Sequence, residues 1–257
     1  MERYHELKPL VHKQLKGHFF FLYGWMLLGS LLITILQKLP LFFTNSMLTM
    51  FISIVTSILY FFINVTVCFL FIQNIRGIRF RKEDIKYSFS KIGNEILFGF
   101  VASFFQSCMN LFLLFFVNIP MLYLLLSIFV NLFFLTWFTY AAYLIYDQHV
   151  KLQELIKQPL VAMKNNAMTI FLAGGFFVLW NVIVQVILSS ILEPVLTQYA
   201  SLDAALVALM KDTSNYTSLF VSVAVIMIIF VIVQYAILVY YNTYIANIYE
   251  SEKELLK

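Results

Sequence analysis

Residues 157–180 read KQPLVAMKNNAMTIFLAGGFFVLW, and the chain changes character in the middle of them. Up to Lys164 the segment is basic and amphipathic; from Met168 onward it is an almost unbroken apolar run. The same passage occurs in residues 8–32, KPLVHKQLKGHFFFLYGWMLLGSLL, and less sharply in residues 86–105, KYSFSKIGNEILFGFVASFF. Aligning Lys16, Lys91 and Lys164 puts the three in register at spacings of 75 and 73 residues. Each basic segment leads into a pair of apolar runs. This pattern predicts three repeated units, approximately 1–75, 76–149 and 150–257, within a single membrane domain covering 1–257. The units are expected to be parallel repeats, since each starts and ends on the same side.

The apolar runs set the class. Of 257 residues, 62% are hydrophobic and 12% charged, with 28 phenylalanines; mean hydropathy is +0.88. A soluble domain of this size carries about 25% charged residues. This chain has too few to cover a water-facing surface and belongs to the membrane class. A helix needs about 20 mostly apolar residues to cross the hydrocarbon core. Six windows have that character: Phe19 to Leu36, Leu48 to Ile72, Ile96 to Val117, Met121 to Ile145, Thr169 to Ile191 and Leu219 to Tyr241. They lack the alternation and the short length, about 10 residues, of membrane strands. No small-residue cleavage site follows the first run, so it is expected to remain as the first helix. The expected fold is all-α: a polytopic membrane protein with six transmembrane helices, as three units of amphipathic interfacial helix plus helical hairpin.

The connections predict the orientation. Counting from the ends of the apolar runs, 15 Lys and Arg fall on one side and two, Lys38 and Lys211, on the other. The positive-inside rule then places both termini in the cytoplasm. Tyr140, Tyr143 and Tyr146 close the fourth run, and Tyr240, Tyr241 and Tyr244 close the sixth. Their expected place is the cytoplasmic interface, with apolar rings and wet hydroxyls. On the opposite side only the stretch from Glu193 to Ser218 is long enough for structure of its own, and SLDAALVALMKD (201–212) suggests a short amphipathic helix there.

The basic segments are too short to span. Leu7, Val11 and Leu15 recur at helical spacing in the first, Ile85, Phe89, Ile92 and Ile96 in the second, and Leu152, Leu155, Ile156, Leu160 and Met163 in the third. Pro9 and Pro159 are expected to kink or restart the first and third. Such helices suit the headgroup region, stripe down and lysines toward anionic lipid. The alternative is a cytosolic cap packed on the bundle. Membrane lipids, anionic at the cytoplasmic face, are the expected partners. The candidate contacts are Arg76, Arg79, Arg81, Lys82, Lys86 and Lys91, the densest basic connection.

No charged residue lies within any of the six windows, which disfavours a proton-coupled pump. Gln106 with Asn110, and Asn181 with Gln185, share helix faces at i, i+4 and mark two candidate polar seams. Their ordinary use is interhelical hydrogen bonding; their other use is a substrate path. Gly99 with Ser103 is a small-xxx-small pair suited to close helix approach. Cys68 and Cys108 lie in apolar runs and read as buried hydrophobes. The four histidines, His5, His12, His18 and His149, have no cysteine or carboxylate to complete a metal set. Glu83 with Asp84, and Glu250 with Glu254, read as solvated charge. No P-loop, GxSxG or HExxH occurs. No catalytic or metal-ligating residues, cofactor or nucleic-acid partner are therefore expected, and the chain is read as not an enzyme.

Glu6-Leu7-Lys8 and Leu15-Lys16-Gly17, then Leu160 to Lys164 with Phe176, Phe177 and Trp180, then Tyr244, Ala246 and Tyr249 carry a resemblance that covers most of the chain. In these residues the sequence resembles an uncharacterised family of multi-pass integral membrane proteins of Gram-positive bacteria. It is distantly similar to the membrane domain attached to some glycerophosphodiester phosphodiesterases. Asn165 and Asn166 depart from it, standing where a glycine-containing turn is usual. The resemblance implies the same fold in a bacterial cell membrane and no established activity. Two function classes follow: a non-enzymatic accessory protein that organises or protects the membrane or assists a membrane protein partner, and a small permease or lipid/peptide translocator with a path along the Asn/Gln seams. A water-accessible cavity on those seams would favour the second, a tightly packed bundle the first.

Overall fold

A computed structural model describes residues 2–39, 46–79, 83, 86–87, 90–147, 151–196 and 213–255. Among the described residues there is no strand, and the α-helices in chain order are α1 (Glu2–Leu15), α2 (Phe19–Lys38), α3 (Ser46–Ile75), α4 (Ile92–Leu113), α5 (Pro120–Asp147), α6 (Leu152–Asn165), α7 (Ala167–Leu196) and α8 (Thr213–Leu255). A single 3-10 turn, Leu114–Phe116, extends α4. Six of the helices, α2 to α5, α7 and α8, are long and apolar enough to cross a membrane. The fold is all-α, as the apolar windows require. α7 and α8 run further into the connection between them than their windows suggest. The amphipathic stretch 201–212 lies outside the described residues.

Two left-handed glycines punctuate the chain. Gly17, φ 85°, separates α1 from α2, and Gly77, φ 68°, ends α3. At the second, Ile78 N–H donates to Gln73 O at 2.9 Å and Gly77 N–H to Asn74 O at 3.1 Å. That is the Schellman pattern, in which a glycine without Cβ satisfies the last carbonyls. It leaves Arg76 as the final side chain of α3. Pro9 and Pro159 lie inside α1 and α6 and divide neither. The expected restart does not occur; Pro159 is itself buried with Leu155 and Ala162 on the packed face of α6, and that packing holds the helix through the missing hydrogen bond.

The chain forms two compact units. The smaller comprises Gly175–Ile237, which takes in α7 from Gly175 to its end and α8 from its start to Ile237. Within it Trp180 stacks on Phe230, with ring centroids 6.4 Å apart. Its side chains Phe176, Leu179, Val221 and Ile228 are among those that are exposed and apolar, a surface suited to lipid.

The larger unit comprises Met1–Gly174 and Leu238–Lys257. Its core lies at the end where the basic residues gather. Tyr241, Ile245, Ala246, Ile248 and Tyr249 are at most 1% exposed. Around them are buried Val11 and Leu15 of α1, Phe71 and Ile72 of α3, Tyr143 and Ile145 of α5, and Leu155 of α6. α8 has 43 residues, about 65 Å at 1.5 Å per residue, against about 30 Å of hydrocarbon. The stretch after Tyr241 is thus surplus to a span, and it is this surplus that is buried. Short helices and helix ends fold around it as a cap. Further along the same unit, Gly99 faces the Phe61 ring so closely that a Cβ would stand 2.6 Å from it. The expected close approach at Gly99 is present, while Ser103 is exposed.

Candidate functional site: the ion-paired cap

Arg76, placed at the end of α3 by Gly77, is the centre of the cap. Its Nη1 donates to Asp147 Oδ1 at 2.6 Å and its Nη2 to Asp147 Oδ2, a bidentate pair. Its Nε donates to Glu250 Oε1 at 2.7 Å, and the guanidinium lies 5.7 Å from the Tyr146 ring centroid. Asp147 ends α5, where a carboxylate opposes the helix dipole. Its side chain is only 8% exposed. It survives there because Oδ2 also accepts from Tyr249 Oη at 2.7 Å and Lys253 Nζ at 2.8 Å. Burial works against the Arg76 charge, but the hydrogen bonds and charges of Asp147 and Glu250 outweigh it and hold the guanidinium above its ordinary range. One arginine thus binds α3, α5 and α8 together, and the fork geometry of the guanidinium sets the angle between them.

A second polar cluster fastens α1 and the α6–α7 turn to the same helix. Arg3 donates to Asn166, Ser251 and Glu252. Asn166 Nδ2 bonds Glu252 Oε1 at 2.9 Å and Ala162 O at 2.9 Å. Gln14 and Asn247 exchange amide hydrogen bonds of 3.0 and 2.8 Å, and Tyr4 stacks on Tyr244 at 5.4 Å. Deeper, Tyr143 Oη donates to Asn242 O at 3.1 Å and the hydroxyls of Thr136 and Tyr241 are paired.

These contacts correct two expectations. Tyr140, Tyr143, Tyr241 and Tyr244 do not present wet hydroxyls at an interface; they are buried in the cap core, and of the six only Tyr240 is exposed. The reason is the surplus length of α8, which gives the tyrosines protein neighbours beyond the hydrocarbon. Glu250 is not a solvated charge either, since Arg76 holds it. The apolar stripe of the first basic segment faces protein through Val11 and Leu15 of α1; in the third, Leu155 is buried, with Pro159 and Ala162 beside it, while Leu160 is exposed.

The proposed lipid-contact residues are distributed unevenly. Arg76 has its two carboxylates, and Lys91 is buried with its ammonium 5.3 Å from the Tyr87 ring centroid. Arg79 and Lys86 are exposed. Arg81 and Lys82 lie outside the described residues. Of the polar seams, Asn110 is exposed and Gln106 half-buried. Asn181 donates to Phe177 O at 2.7 Å and to Gln234 Oε1 at 3.4 Å. Gln185 sits on α7, its side chain outside the description. Sequence reasoning missed Asp147, Glu252, Asn166, Gln14 and Asn247. The available signal was Asp147, an acid ending an apolar run on the side where the cations gather. Among the described residues no His, Cys, Asp and Glu side chains cluster as a metal site.

Fold and site define the class: an all-α protein whose six long apolar helices suit a multi-pass membrane protein, with a polar, ion-paired cap at one end of its larger unit. Compared with known protein families, curated proteins and solved structures, the chain matches none.

Proposed function

We propose that the protein is a non-enzymatic accessory protein of a bacterial cell membrane, with both termini in the cytoplasm. It offers a rigid folded cap at the cytoplasmic face through which it organises or protects the membrane or assists a membrane protein partner. The observation that carries this reading is the use of the polar groups. Of the seam side chains, Asn181 is bonded within the protein, to Phe177 O and Gln234 Oε1, and the polar groups of the cap are paired with one another, Gln14 with Asn247 and Arg76 with Asp147 and Glu250. Basic groups left at the surface, such as Arg79 and Lys86, suit anionic headgroups.

The test uses single cysteines at Asn181 and Gln234 in a background lacking Cys68 and Cys108. An accessory bundle leaves both unreactive toward a water-soluble thiol reagent in proteoliposomes. Reaction at either position, from either side of the membrane, would reject this reading in favour of a translocation path along the seam.

A further inference from the structure

The larger unit carries a cleft that the cap does not use. It has a volume of ≈ 340 Å³ and lies between α5, the end of α6 and the start of α7. That volume is at the lower end of the about 300–1,000 Å³ of small-molecule sites. Its walls are Phe129 and Phe133 of α5, Leu160 of α6 and Phe171 of α7, all exposed. Phe129 and Phe171, both lining it, stack on one another with centroids 6.0 Å apart. Its one charged lining residue is Lys164.

We propose that this cleft holds a single anionic phospholipid, its acyl chain along the phenylalanine walls and its phosphate on Lys164. Three observations converge. Lys164 stands three residues before Ala167, where the apolar span of α7 begins, so its ammonium reaches headgroup level while the walls continue into the hydrocarbon. Arg3, Arg76 and Lys253 are each paired with a carboxylate; Lys164 is exposed and, among the described residues, no ion pair engages it. Three of the walls, Phe129, Phe133 and Phe171, are rigid rings, which a bound acyl chain need not order. An apolar slot below an unpaired cation is the complement of a phosphodiester with a hydrocarbon tail. This site is separate from the basic connection 76–91. It rests on the membrane placement proposed above and not on the accessory role.

The experiment is native mass spectrometry of the full chain in mild detergent, titrated with phosphatidylglycerol or phosphatidylcholine. The wild type should retain one phosphatidylglycerol in preference to phosphatidylcholine. Lys164→Gln should weaken that retention by about fivefold, the weight of one lysine near an anionic surface. Ala167→Leu, which fills the cleft, should reduce retention of both lipids. Lys157→Gln, on the same helix but outside the cleft, should leave retention unchanged. Thermal unfolding in the same detergent confirms that each variant is folded. Equal retention by the wild type and Lys164→Gln, or no effect of Ala167→Leu, would overturn the proposal. A protein that stays in the membrane fraction yet shows that result fails here alone; one absent from the membrane fraction fails the placement beneath it.

Discussion

Asp147 shows how a single carboxylate can be costly and indispensable at once. It sits at a helix C-terminus, nearly out of solvent, and is tolerated because Arg76, Lys253 and Tyr249 all donate to it. Removing its charge strands Lys253 and leaves Arg76 with Glu250 as its one carboxylate in the cap. Asp147→Asn should therefore destabilise the protein by about 3 kcal/mol, the lower end of the cost of stripping one partner from a buried pair, read as a fall in thermal midpoint in detergent. The double variant Arg76→Leu with Asp147→Leu, which leaves Glu250 and Lys253 without these partners, should cost less than the sum of the two single replacements, because part of each single penalty belongs to the partner left behind. A double variant that costs the full sum would mean that the two side chains are not coupled.

The amphipathic elements were ambiguous until their stripes met something. α1 and α6 have the composition of helices that float in a headgroup layer. Here Val11 and Leu15 are buried to 1% and 2% exposure against the cap, and Gln14, on the same helix, is paired with Asn247. A lipid-facing stripe would tolerate truncation; a protein-facing one would not. Leu15→Ala should cost about 3 kcal/mol, within the range for deleting a buried leucine, by thermal unfolding. Lys13→Gln, exposed on the same helix, serves as the neutral control. A midpoint unchanged in Leu15→Ala would return α1 to the headgroup layer. The aligned lysines have an observable counterpart at this scale: Lys16, Lys91 and Lys164 each precede the start of a long helix by at most three residues. Their surroundings differ, Lys91 being buried and the other two exposed. Helix starts of this kind would support a threefold repeat.

Across the whole chain, the distribution of basic residues is the feature from which an orientation is expected. The split of 15 to two predicts that Lys38, exposed at the end of α2, faces outward and Lys157, exposed on α6, inward. In a background lacking Cys68 and Cys108, a cysteine at position 38 should react with a membrane-impermeant maleimide in intact bacterial cells. One at position 157 should react only after permeabilisation. The reverse pattern would invert the protein and move the cap to the outer face.

The extent of the apolar runs determined the helices, because a segment with no charge over about 20 residues has no soluble alternative. Phe19, the start of the first window, is also the first residue of α2, and the next four windows agree with their helices to within about five residues, while α8 runs from Thr213 to Leu255 against a window of Leu219 to Tyr241. The close approach at Gly99 was legible for the same reason: a small residue in a spanning helix has few other uses. What the cap contains was not legible. Tyr143 and Tyr241 have the composition of a wet interfacial belt, Arg76 that of a cation facing anionic lipid and Glu250 that of a solvated charge. Only the tertiary structure decided otherwise, by giving each a partner more than 60 residues away in sequence: Asn242 for Tyr143, Thr136 for Tyr241, and Arg76 and Glu250 for one another. Periodicity records which face of a helix is apolar. Whether lipid or protein covers that face depends on pairings between distant segments, and no local pattern encodes them.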